Sequence, residues 1–400
     1  MTVRWHIITG EYPFELGGVA DYSRMVARGL AQAGDKVCVW APAAAVADPN
    51  DLRVDVRRLP GNFGPRALIS LSRSLVDEPD SHVLVQYVPH AFGFKAMNLF
   101  LCVWLFAQRR FDYSIMFHEV AYPIRRGQPL KHNVLGIVQR RMAAIVARRA
   151  SRVFVSIPNS ILLLENLVPG KTIEWLPVPS SIPVVDDPGG VTSLRHRYSP
   201  DNLPLVGHFG TYGVLVAPLL DALLPRILNG HDCRALLIGA NSIEILARWS
   251  KQHPACVDRI SATGECEPDA LSRAIGACDL MLQPYPDGVS SRRTTVMAAL
   301  AHSRPVAATR GITTEALWGE HGAVALAPVD DLDGMCANVS RMLADEGLRH
   351  KYALAGHELY VQRFDISHTI AAVRGHLPTT GRIGTTRSHQ TGAQLSMNRP

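Results

Sequence analysis

The chain has 400 residues, of which 47% are hydrophobic and 19% are charged, with a formal net charge of +6. This length and composition predict a soluble globular protein with two domains, and the mild, scattered positive charge does not favour nucleic acid as a partner. The seven cysteines are dispersed without Cys-x-x-Cys spacing. They therefore predict reduced thiols in the cytoplasm and exclude a zinc site and a disulfide framework.

The first residues and the most apolar stretch bear on localisation. Residues 1–10 contain a charge and a histidine and lead straight into a turn, so we expect no signal peptide. The apolar run at 97–107 is too short to span a bilayer and is flanked by Lys95, Arg109 and Arg110. It predicts either a buried core helix or a helix that touches a membrane surface or an acceptor lipid. We therefore expect a cytoplasmic protein, with peripheral contact at the inner membrane face as an extension of that prediction.

The first half of the chain begins as strand, glycine loop, helix and strand. The strand covers 3–9, the loop ends in Gly17 and Gly18, and the helix at 20–33 is followed by a strand at 36–41. This order predicts a doubly wound sheet, although the Gly-x-Gly-x-x-Gly spacing of dinucleotide sites is absent. Further strands are predicted at 54–59, 83–87, 113–117, 153–156 and 173–176. The strand at 113–117 delivers His118 and Glu119 at its carboxyl end.

A segment rich in Pro, Gly, Ser and Asp separates this pattern from a second one. It predicts a domain boundary, with a first domain at 1–180, a linker at 181–203 and a second domain at 204–364. In the second domain, strands are predicted at 205–209, 235–238, 259–262, 280–283 and 324–326, with a further strand starting at Pro305. Residues 378–400 have no acid and almost no large apolar side chain, so we expect a disordered tail.

The segment after the strand at 280–283 is the clearest candidate for a phosphate site. Turn residues lead to Ser290 and Ser291, which are predicted helix N-caps, with Arg292 and Arg293 in the first helical turn. Helix N-termini attract anions, and the planar guanidinium group matches phosphate oxygens. The alternative is that both arginines point to solvent or pair with Asp287.

Loops from both predicted domains aim at one cleft, at the carboxyl ends of the strands. No nucleophile elbow, Walker loop or His-Glu-x-x-His metal helix is present. A phosphate-binding cleft between two open α/β domains suits a reaction with a diphosphate leaving group. Arginines and helix N–H groups can stabilise the leaving phosphate without a metal.

Several stretches together resemble the GT-B fold glycosyltransferases of the family 4 type (group 1). The matching stretches are residues 17–22, 30–37, 117–119, 176–179, 206–210 and 277–306. The resemblance implies two Rossmann-like open-sheet domains facing a cleft and retaining transfer of a hexose from a nucleotide-sugar to a glycan or lipid-linked hydroxyl. It also implies that no metal is required, that polysaccharide biosynthesis is the setting, and that a helix at 365–377 crosses back to the first domain.

The resemblance assigns roles to residues of this chain. His118 and Glu119 are the catalytic candidates, with His118 binding the sugar or orienting the leaving group. The acceptor-side loop comprises Gly17, Gly18 and Asp21. The donor-binding candidates are Gly210, Thr211, Glu265, Asp287, Ser290, Ser291, Arg292, Arg293, Thr294 and Thr295.

The chain also departs from the family pattern. Two glutamates eight positions apart are usual in the donor segment, and alignment on Pro305 places Ser290 and Ala298 there. The Arg and Lys that usually follow the first donor-domain strand are absent from 210–217. We hypothesise that Arg292 and Arg293 replace those cations, and that Asp287 or Glu265 takes over a hydroxyl contact. The alternatives are a non-catalytic nucleotide-sugar-binding protein and a GT-B-like epimerase.

Overall fold

A computed structural model describes residues 2–13, 17–44, 53–76, 78, 81–109 and 111–375. The predicted tail at 378–400 lies outside these residues. The described chain forms two parallel open sheets with helices on both faces of each, so the predicted α/β class with two open sheets is confirmed.

The first sheet has seven parallel strands in the order β3-β2-β1-β4-β5-β6-β7. Its strands are β1 (Arg4–Thr9), β2 (Lys36–Pro42), β3 (Val54–Leu59), β4 (His82–Tyr87), β5 (Tyr113–Phe117), β6 (Arg152–Val155) and β7 (Ile173–Trp175). Its helices are α1 (Gly18–Gln32), α2 (Pro65–Val76), α3 (Leu99–Ala107), α4 (Leu130–Arg149) and α5 (Asn159–Leu167), with short 3-10 helices at Pro89–Phe92 and Phe94–Ala96.

Two separate cores sandwich this sheet. Helices α2, α3 and α4 cover one face, where Leu71, Leu105 and Val146 pack against the strands. Helix α1 covers the other face through Val26 and Leu30. Because both faces are covered, β1 and β4 are buried along nearly their whole length, as in other parallel sheets.

The second sheet has six parallel strands in the order β10-β9-β8-β11-β12-β13. Its strands are β8 (Leu205–Phe209), β9 (Arg234–Ile238), β10 (Ile260–Ala262), β11 (Leu280–Gln283), β12 (Val306–Arg310) and β13 (Ala325–Pro328). The helices of this half are α6 (Pro188–Tyr198), α7 (Ala217–Gly230), α8 (Ser242–Gln252), α9 (Pro268–Gly276), α10 (Thr294–Ala301), α11 (Leu317–Glu320), α12 (Leu332–Ala344) and α13 (Glu346–Leu359). A 3-10 helix at Pro254–Arg259 and a π-helical turn at Tyr360–Phe364 complete it.

The predicted linker contains a helix that the sequence analysis missed. Helix α6 begins after Asp187, whose carboxylate accepts from Gly190 N at 2.9 Å, and Pro188 occupies its first position. Arg273 of α9 also pairs with Asp187 at 2.6 Å. The Pro, Gly and Asp residues that suggested an unstructured boundary are therefore the N-terminal signals of a helix that packs on the second sheet.

The final helix returns to the first half of the chain. Helix α14 (Ile366–Val373) lies against α1, with Ile370 packed beside Gly29, where a Cβ would lie 2.6 Å from the Ile370 side chain. Arg374 pairs with the buried Asp35 at 3.1 Å. These contacts lie where the predicted helix at 365–377 was expected to cross back.

Helix α3 contains most of the apolar run at 97–107, and only part of it is buried. Leu101, Cys102 and Leu105 are buried against the sheet. Phe100 and Val103 on the opposite side are 51% and 59% exposed. Because this nine-residue helix is apolar on every side, only half of it can reach the core. Among the described residues, no helix is long and apolar enough to cross a membrane.

Candidate active site

The carboxyl edges of the two sheets face each other at one point of direct contact. Ser156 follows β6 of the first sheet, and its carbonyl oxygen accepts from Ser291 Oγ of the second half at 3.1 Å. Val178 N donates to Ser291 O at 3.3 Å in the same region. The loops after the strands of both sheets therefore meet around the predicted donor segment, as ligand sites of open α/β sheets require.

His118 lies at the carboxyl end of β5 and is 9% exposed. Its Nε2 lies 2.8 Å from Gln86 Oε1, and because that oxygen can only accept, the imidazole donates. Burial lowers the pKa of His118 to about 3, so the ring is neutral near pH 7. The edge of Tyr22 from α1 contacts this ring at 4.8 Å between centroids.

The structure links His118 to the donor segment through one serine. Ser156 Oγ donates to the carbonyl of His118 at 3.2 Å, and the carbonyl of Ser156 accepts from Ser291. The sequence analysis missed Ser156 and Gln86. A polar residue inside the apolar strand 83–87 was the available signal for Gln86, since such a residue needs a buried partner.

Glu119 and the glycine loop lie on the same edge of the first sheet. The Glu119 side chain is 53% exposed and lies 3.7 Å from Nδ1 of His90. The other ring nitrogen of His90, Nε2, lies 3.4 Å from Glu11 Oε1. Gly17 precedes α1 and Gly18 begins it. A Cβ on Gly17 would lie 2.8 Å from Glu11 Oε2, so a larger residue here would require only the end of the Glu11 side chain to move.

Asp21 lies in the first turn of α1 and is exposed, with its N–H bonded to Gly17 O at 3.1 Å. Gly17, Gly18 and Asp21 thus lie on the same edge of the sheet as His118 and Glu119, and the acceptor-side role of this loop stays a prediction. His90 and Glu11 are the residues of this edge that the sequence analysis did not select.

Arg292 and Arg293 differ from their predicted placement. Helix α10 begins at Thr294, so both arginines precede it and the prediction of a first-turn position is wrong. Arg293 N bonds to Ser290 O in a turn, and both the N–H and the hydroxyl of Ser291 donate to Glu315. The serines therefore hold the loop, and neither caps the helix.

Both guanidinium groups pair with the single carboxylate of Asp287, which is the alternative that the sequence left open for them. Arg292 lies 3.2 Å from Asp287, and Arg293 contacts the other oxygen of the same group. The Arg293 guanidinium also stacks over Tyr285 at 4.5 Å. The same loop also holds the Glu315 carboxylate against Ser291. The two guanidinium groups and the first N–H groups of α10 are the groups here that can bind an anion.

Tyr285 and Thr295 lie beside Arg293, and Thr294 is the first residue of α10. Thr295 Oγ1 lies 2.6 Å from the Tyr285 hydroxyl, which also donates to Gln283. Burial raises the pKa of Tyr285 to about 12, so the phenol stays protonated and remains a donor. Ser290 Oγ and Arg293 Nε are buried without a partner among the described residues.

The remaining donor candidates spread along the second sheet. Gly210 and Thr211 follow β8, and Gly210 N donates to Ile238 O at 3.1 Å. Glu265 is exposed after β10. The sheet order places β10 three strands from β11, which is about 14 Å at the ~4.8 Å strand spacing, so Glu265 and Asp287 do not share one contact.

His208 is a buried group that the sequence analysis passed over. It lies on β8, which has β9 on one side and β11 on the other, so the strand order reverses at β8. His208 Nδ1 donates to Leu282 O at 2.8 Å, and its Nε2 has no partner among the described residues. Burial lowers its pKa to about 4, so Nε2 is available as an acceptor at the switch point.

Two family models match the sequence over most of its length. The family described as "Glycosyl transferase 4-like domain" matches residues 17–179, and the family described as "Glycosyl transferases group 1" matches residues 204–345. The chain belongs to the group 1 glycosyltransferases. No curated protein matches its sequence.

Solved structures place this glycosyltransferase in the GT-B fold. Sucrose-phosphate synthase from Thermosynechococcus elongatus is 16% identical, with a TM-score of 0.68 over 93% of this chain and 97% of that one. A glycosyltransferase from Rickettsia africae is 14% identical, with a TM-score of 0.69 over 93% and 97%. The Anabaena protein HepE, solved with UDP, is 14% identical, with a TM-score of 0.67 over 94% and 99%.

The fold expectation from the resemblance is thus confirmed, as is glycosyltransfer as the general activity. Among the described residues there is no cluster of three or more His, Cys, Asp or Glu side chains that could hold a metal ion. At these identities the solved structures establish the fold alone. The roles of the individual site residues of this glycosyltransferase remain predictions.

Proposed function

We propose that this glycosyltransferase is a retaining hexosyltransferase that uses a nucleotide-sugar donor and a hydroxyl acceptor on a glycan or a lipid-linked glycan. The observation that carries the proposal is the pair Arg292 and Arg293 around Asp287, in front of α10. A diphosphate is the ligand chemistry that suits two guanidinium groups beside a helix N-terminus. The complex of HepE with UDP-glucose supports the same donor class.

The proposed reaction breaks the bond between the anomeric carbon and the phosphate oxygen. The acceptor oxygen forms its bond on the same face of the sugar, and the acceptor proton passes to the leaving phosphate. Negative charge accumulates on that phosphate, where Arg292, Arg293 and the α10 N–H groups stabilise it. We therefore propose that transfer needs no metal and no other cofactor.

Neutral His118 suits the sugar side of the cleft. Its pKa of about 3 means that it does not act as an acid near pH 7, so we assign it to binding a sugar hydroxyl or orienting the leaving group. Glu119 and the loop of Gly17, Gly18 and Asp21 would then face the acceptor. Glu265 is the freer of the two candidate carboxylates, since Asp287 is held by two arginines, and we place it near the nucleoside.

We also propose that the protein works in the cytoplasm at the inner face of a membrane, in assembly of a polysaccharide or lipid-linked glycan. All seven cysteines are free thiols, which suits a reducing compartment. A non-catalytic nucleotide-sugar-binding protein is the second candidate. It is favoured by Ala298, which is fully buried and has no carboxylate to hold ribose.

The test is release of nucleoside diphosphate from a panel of nucleotide-sugars, with calorimetry of nucleoside diphosphate binding. We expect turnover with one donor. Replacing both Arg292 and Arg293 by Ala should weaken diphosphate binding roughly 100- to 10,000-fold, because charge-assisted hydrogen bonds are each worth about 1.5–3 kcal/mol and two are lost.

The control is the double variant Arg226→Ala and Arg248→Ala, which loses two arginines that pair with Asp333 and Asp221 on the surface. It should bind the diphosphate like the wild type. Tight binding without any turnover would favour the non-catalytic alternative. Unchanged affinity in the Arg292 and Arg293 variant would overturn the phosphate assignment.

A further inference from the structure

Three neighbouring helices on one face of the first sheet contain no acidic residue. Helices α2, α3 and α4 lack Asp and Glu entirely. The loops that lead into α3 and α4, residues 88–98 and 120–129, lack them as well. The exposed charged side chains of these helices and loops are therefore all cations, namely Arg66, Arg73, Lys95, Arg125, Arg126, Lys131, Arg141 and Arg148.

The same face exposes large apolar side chains. More than half of all exposed large hydrophobic side chains in the described part of the chain lie on these helices and loops. They include Phe94, Leu99, Phe100, Val103 and Phe106, which are 45–59% exposed. Scattered exposed apolar residues are ordinary, but a contiguous cluster marks an interaction surface.

A groove lies within this cluster, between α2 and α3. It encloses about 500 Å³ and is lined by apolar side chains that include Ile69, Leu99, Phe100 and Val103. Its polar atoms are already satisfied, since Trp104 Nε1 donates to Ser72 Oγ at 2.7 Å and Ser72 Oγ donates to Leu68 O at 2.8 Å. A molecule that binds in this groove would therefore gain apolar contacts rather than hydrogen bonds.

The charge of the face selects among partners. A symmetric dimer through this surface would bring like charges together, because such an interface joins the same patch on both copies. A nucleic acid would leave the Phe and Leu side chains without apolar contact. An anionic bilayer satisfies both properties at once, since lipid headgroups meet the cations and acyl chains meet the apolar side chains.

We propose that the surface formed by the outer sides of α2, α3 and the start of α4 docks on an anionic lipid bilayer. Phe100 and Val103 insert at the level of the acyl chains, and Arg66, Arg73 and Lys95 contact the headgroups. This docking surface rests on the proposed function in one respect only: the bilayer is the place where the glycosyltransferase meets its acceptor.

The surface also reaches the candidate acceptor side of the cleft. Phe94 and Lys95 follow β4, and Tyr122 follows Glu119 at the end of β5, so these residues lie at the carboxyl edge of the sheet. Gln139 of α4 holds both loops, because its Nε2 donates to Ala96 O at 3.1 Å and its Oε1 accepts from Tyr122 N at 2.7 Å. A docked protein would therefore present Glu119 to the bilayer surface.

The test is co-sedimentation of the full chain with lipid vesicles of two compositions, phosphatidylcholine alone and phosphatidylcholine with about one third phosphatidylglycerol. We expect binding to the anionic vesicles only, and release at about 0.5 M salt. Phe100→Ser with Val103→Ser should lower the partition coefficient at least about tenfold, since this anchor is apolar. Arg66→Ser with Arg73→Ser should lower it by a similar factor.

The matched control is Leu354→Ser with Val361→Ser, two apolar side chains of the second half that are 55% and 50% exposed. It should bind vesicles like the wild type. No binding by the wild type, equal binding to both vesicle types, or undiminished binding by the Phe100 and Val103 variant would each overturn the proposal. A wild-type dimer that this variant converts to a monomer would overturn it too.

Release of nucleoside diphosphate from a soluble donor needs no vesicle, so it separates the two proposals. The Phe100 and Val103 variant should retain that activity, because both side chains are exposed and lie on the outer side of α3. Loss of vesicle binding with full donor turnover supports the docking surface alone. Vesicle binding by a protein that turns over no donor would leave the docking surface supported and the proposed function refuted.

Discussion

Gln86 is the side chain that fixes the orientation of His118. It is fully buried on β4, and its Oε1 lies 2.8 Å from His118 Nε2. Its own amide nitrogen is buried without a partner among the described residues. A buried amide with an unpaired N–H donor lowers the stability of the fold, so we infer that Gln86 is kept for its oxygen, which accepts from His118.

We expect Gln86→Leu to lower kcat roughly fivefold with little change in KM, because one hydrogen bond of about 1 kcal/mol orients the ring. Gln86→Glu should instead change how kcat depends on pH. Its carboxylate would favour the protonated imidazole and raise the pKa of His118, so kcat should become pH-dependent near neutrality. The measurement is kcat and KM from pH 5 to 9.

A purely structural Gln86 would give another pattern. Both variants would then lower the free energy of unfolding, and the pH profile of the Glu variant would match that of the wild type. Unfolding in urea supplies this comparison.

At the scale of residues, the sequence predicted His118 correctly as a strand-end side chain beside the glycine loop. The pattern of a buried strand followed by a polar residue was enough for that. It failed for Arg292 and Arg293, because the helix start depends on Glu315, which lies more than twenty residues further along. Ser291 does not act as an N-cap because its N–H and hydroxyl are hydrogen-bonded to Glu315 in the folded chain.

The donor segment as an element is held by Glu315. This carboxylate accepts from Ser291 N at 3.0 Å, from Ser291 Oγ at 2.6 Å and from Trp318 Nε1 at 2.7 Å. Ser291 in turn contacts Ser156 of the first half. One carboxylate thus fixes the loop that carries both arginines and the point where the two halves touch.

Glu315→Ala should lower the free energy of unfolding by roughly 2–3 kcal/mol, because three donors lose a charged acceptor. It should also weaken nucleoside diphosphate binding, since Arg292 and Arg293 would lose their fixed loop. Glu320→Ala, an exposed carboxylate on α11, is the control and should be neutral in both measurements. A neutral Glu315 variant would mean that the loop is held elsewhere.

Elements with strong periodicity were predicted well, and those defined by capping were not. The strands of both sheets match the predicted ranges within one or two residues. Helix α6 was missed because its composition is that of a linker, although Asp187 and Pro188 begin it.

At the scale of the whole molecule, the described part of the chain has four buried histidines with lowered pKa values. Burial is the main cause for His6, His118, His208 and His302. In the unfolded chain these rings regain the ordinary value near 6.5, so the unfolded state binds more protons below that pH. Stability contributed by these groups is therefore present above pH 6.5 and is lost on acidification.

We expect the free energy of unfolding to fall between pH 6.5 and 5.5, by up to about 1.4 kcal/mol per pH unit for each of these histidines. Carboxylates titrate mainly below this window, so they contribute little. Urea unfolding at the two pH values measures the difference. Equal stability at both would show that the rings are protonated in the native protein.

The division into two open sheets was predictable, because strand and helix patterns restart after the Pro-rich stretch. The contact between the sheets was not, since it rests on Ser156 and Ser291, two serines without any distinguishing local pattern. The apolar run at 97–107 predicted the helix α3 but not the groove between α2 and α3. Which side of that helix stays exposed depends on how the sheet packs.

Because α14 returns to the first sheet, the order of synthesis determines when the core of that sheet can be completed. Ala372 and Val373 complete the core on the α1 face, together with Tyr22, Val26 and Leu30. The first half of the chain therefore receives this helix only after the whole second half has been synthesised. Until then the nascent chain keeps an apolar surface open beside α1, as a site for chaperones or for misassembly. A premature stop just before Ile366 would thus damage the half of the protein that lies furthest from it in sequence.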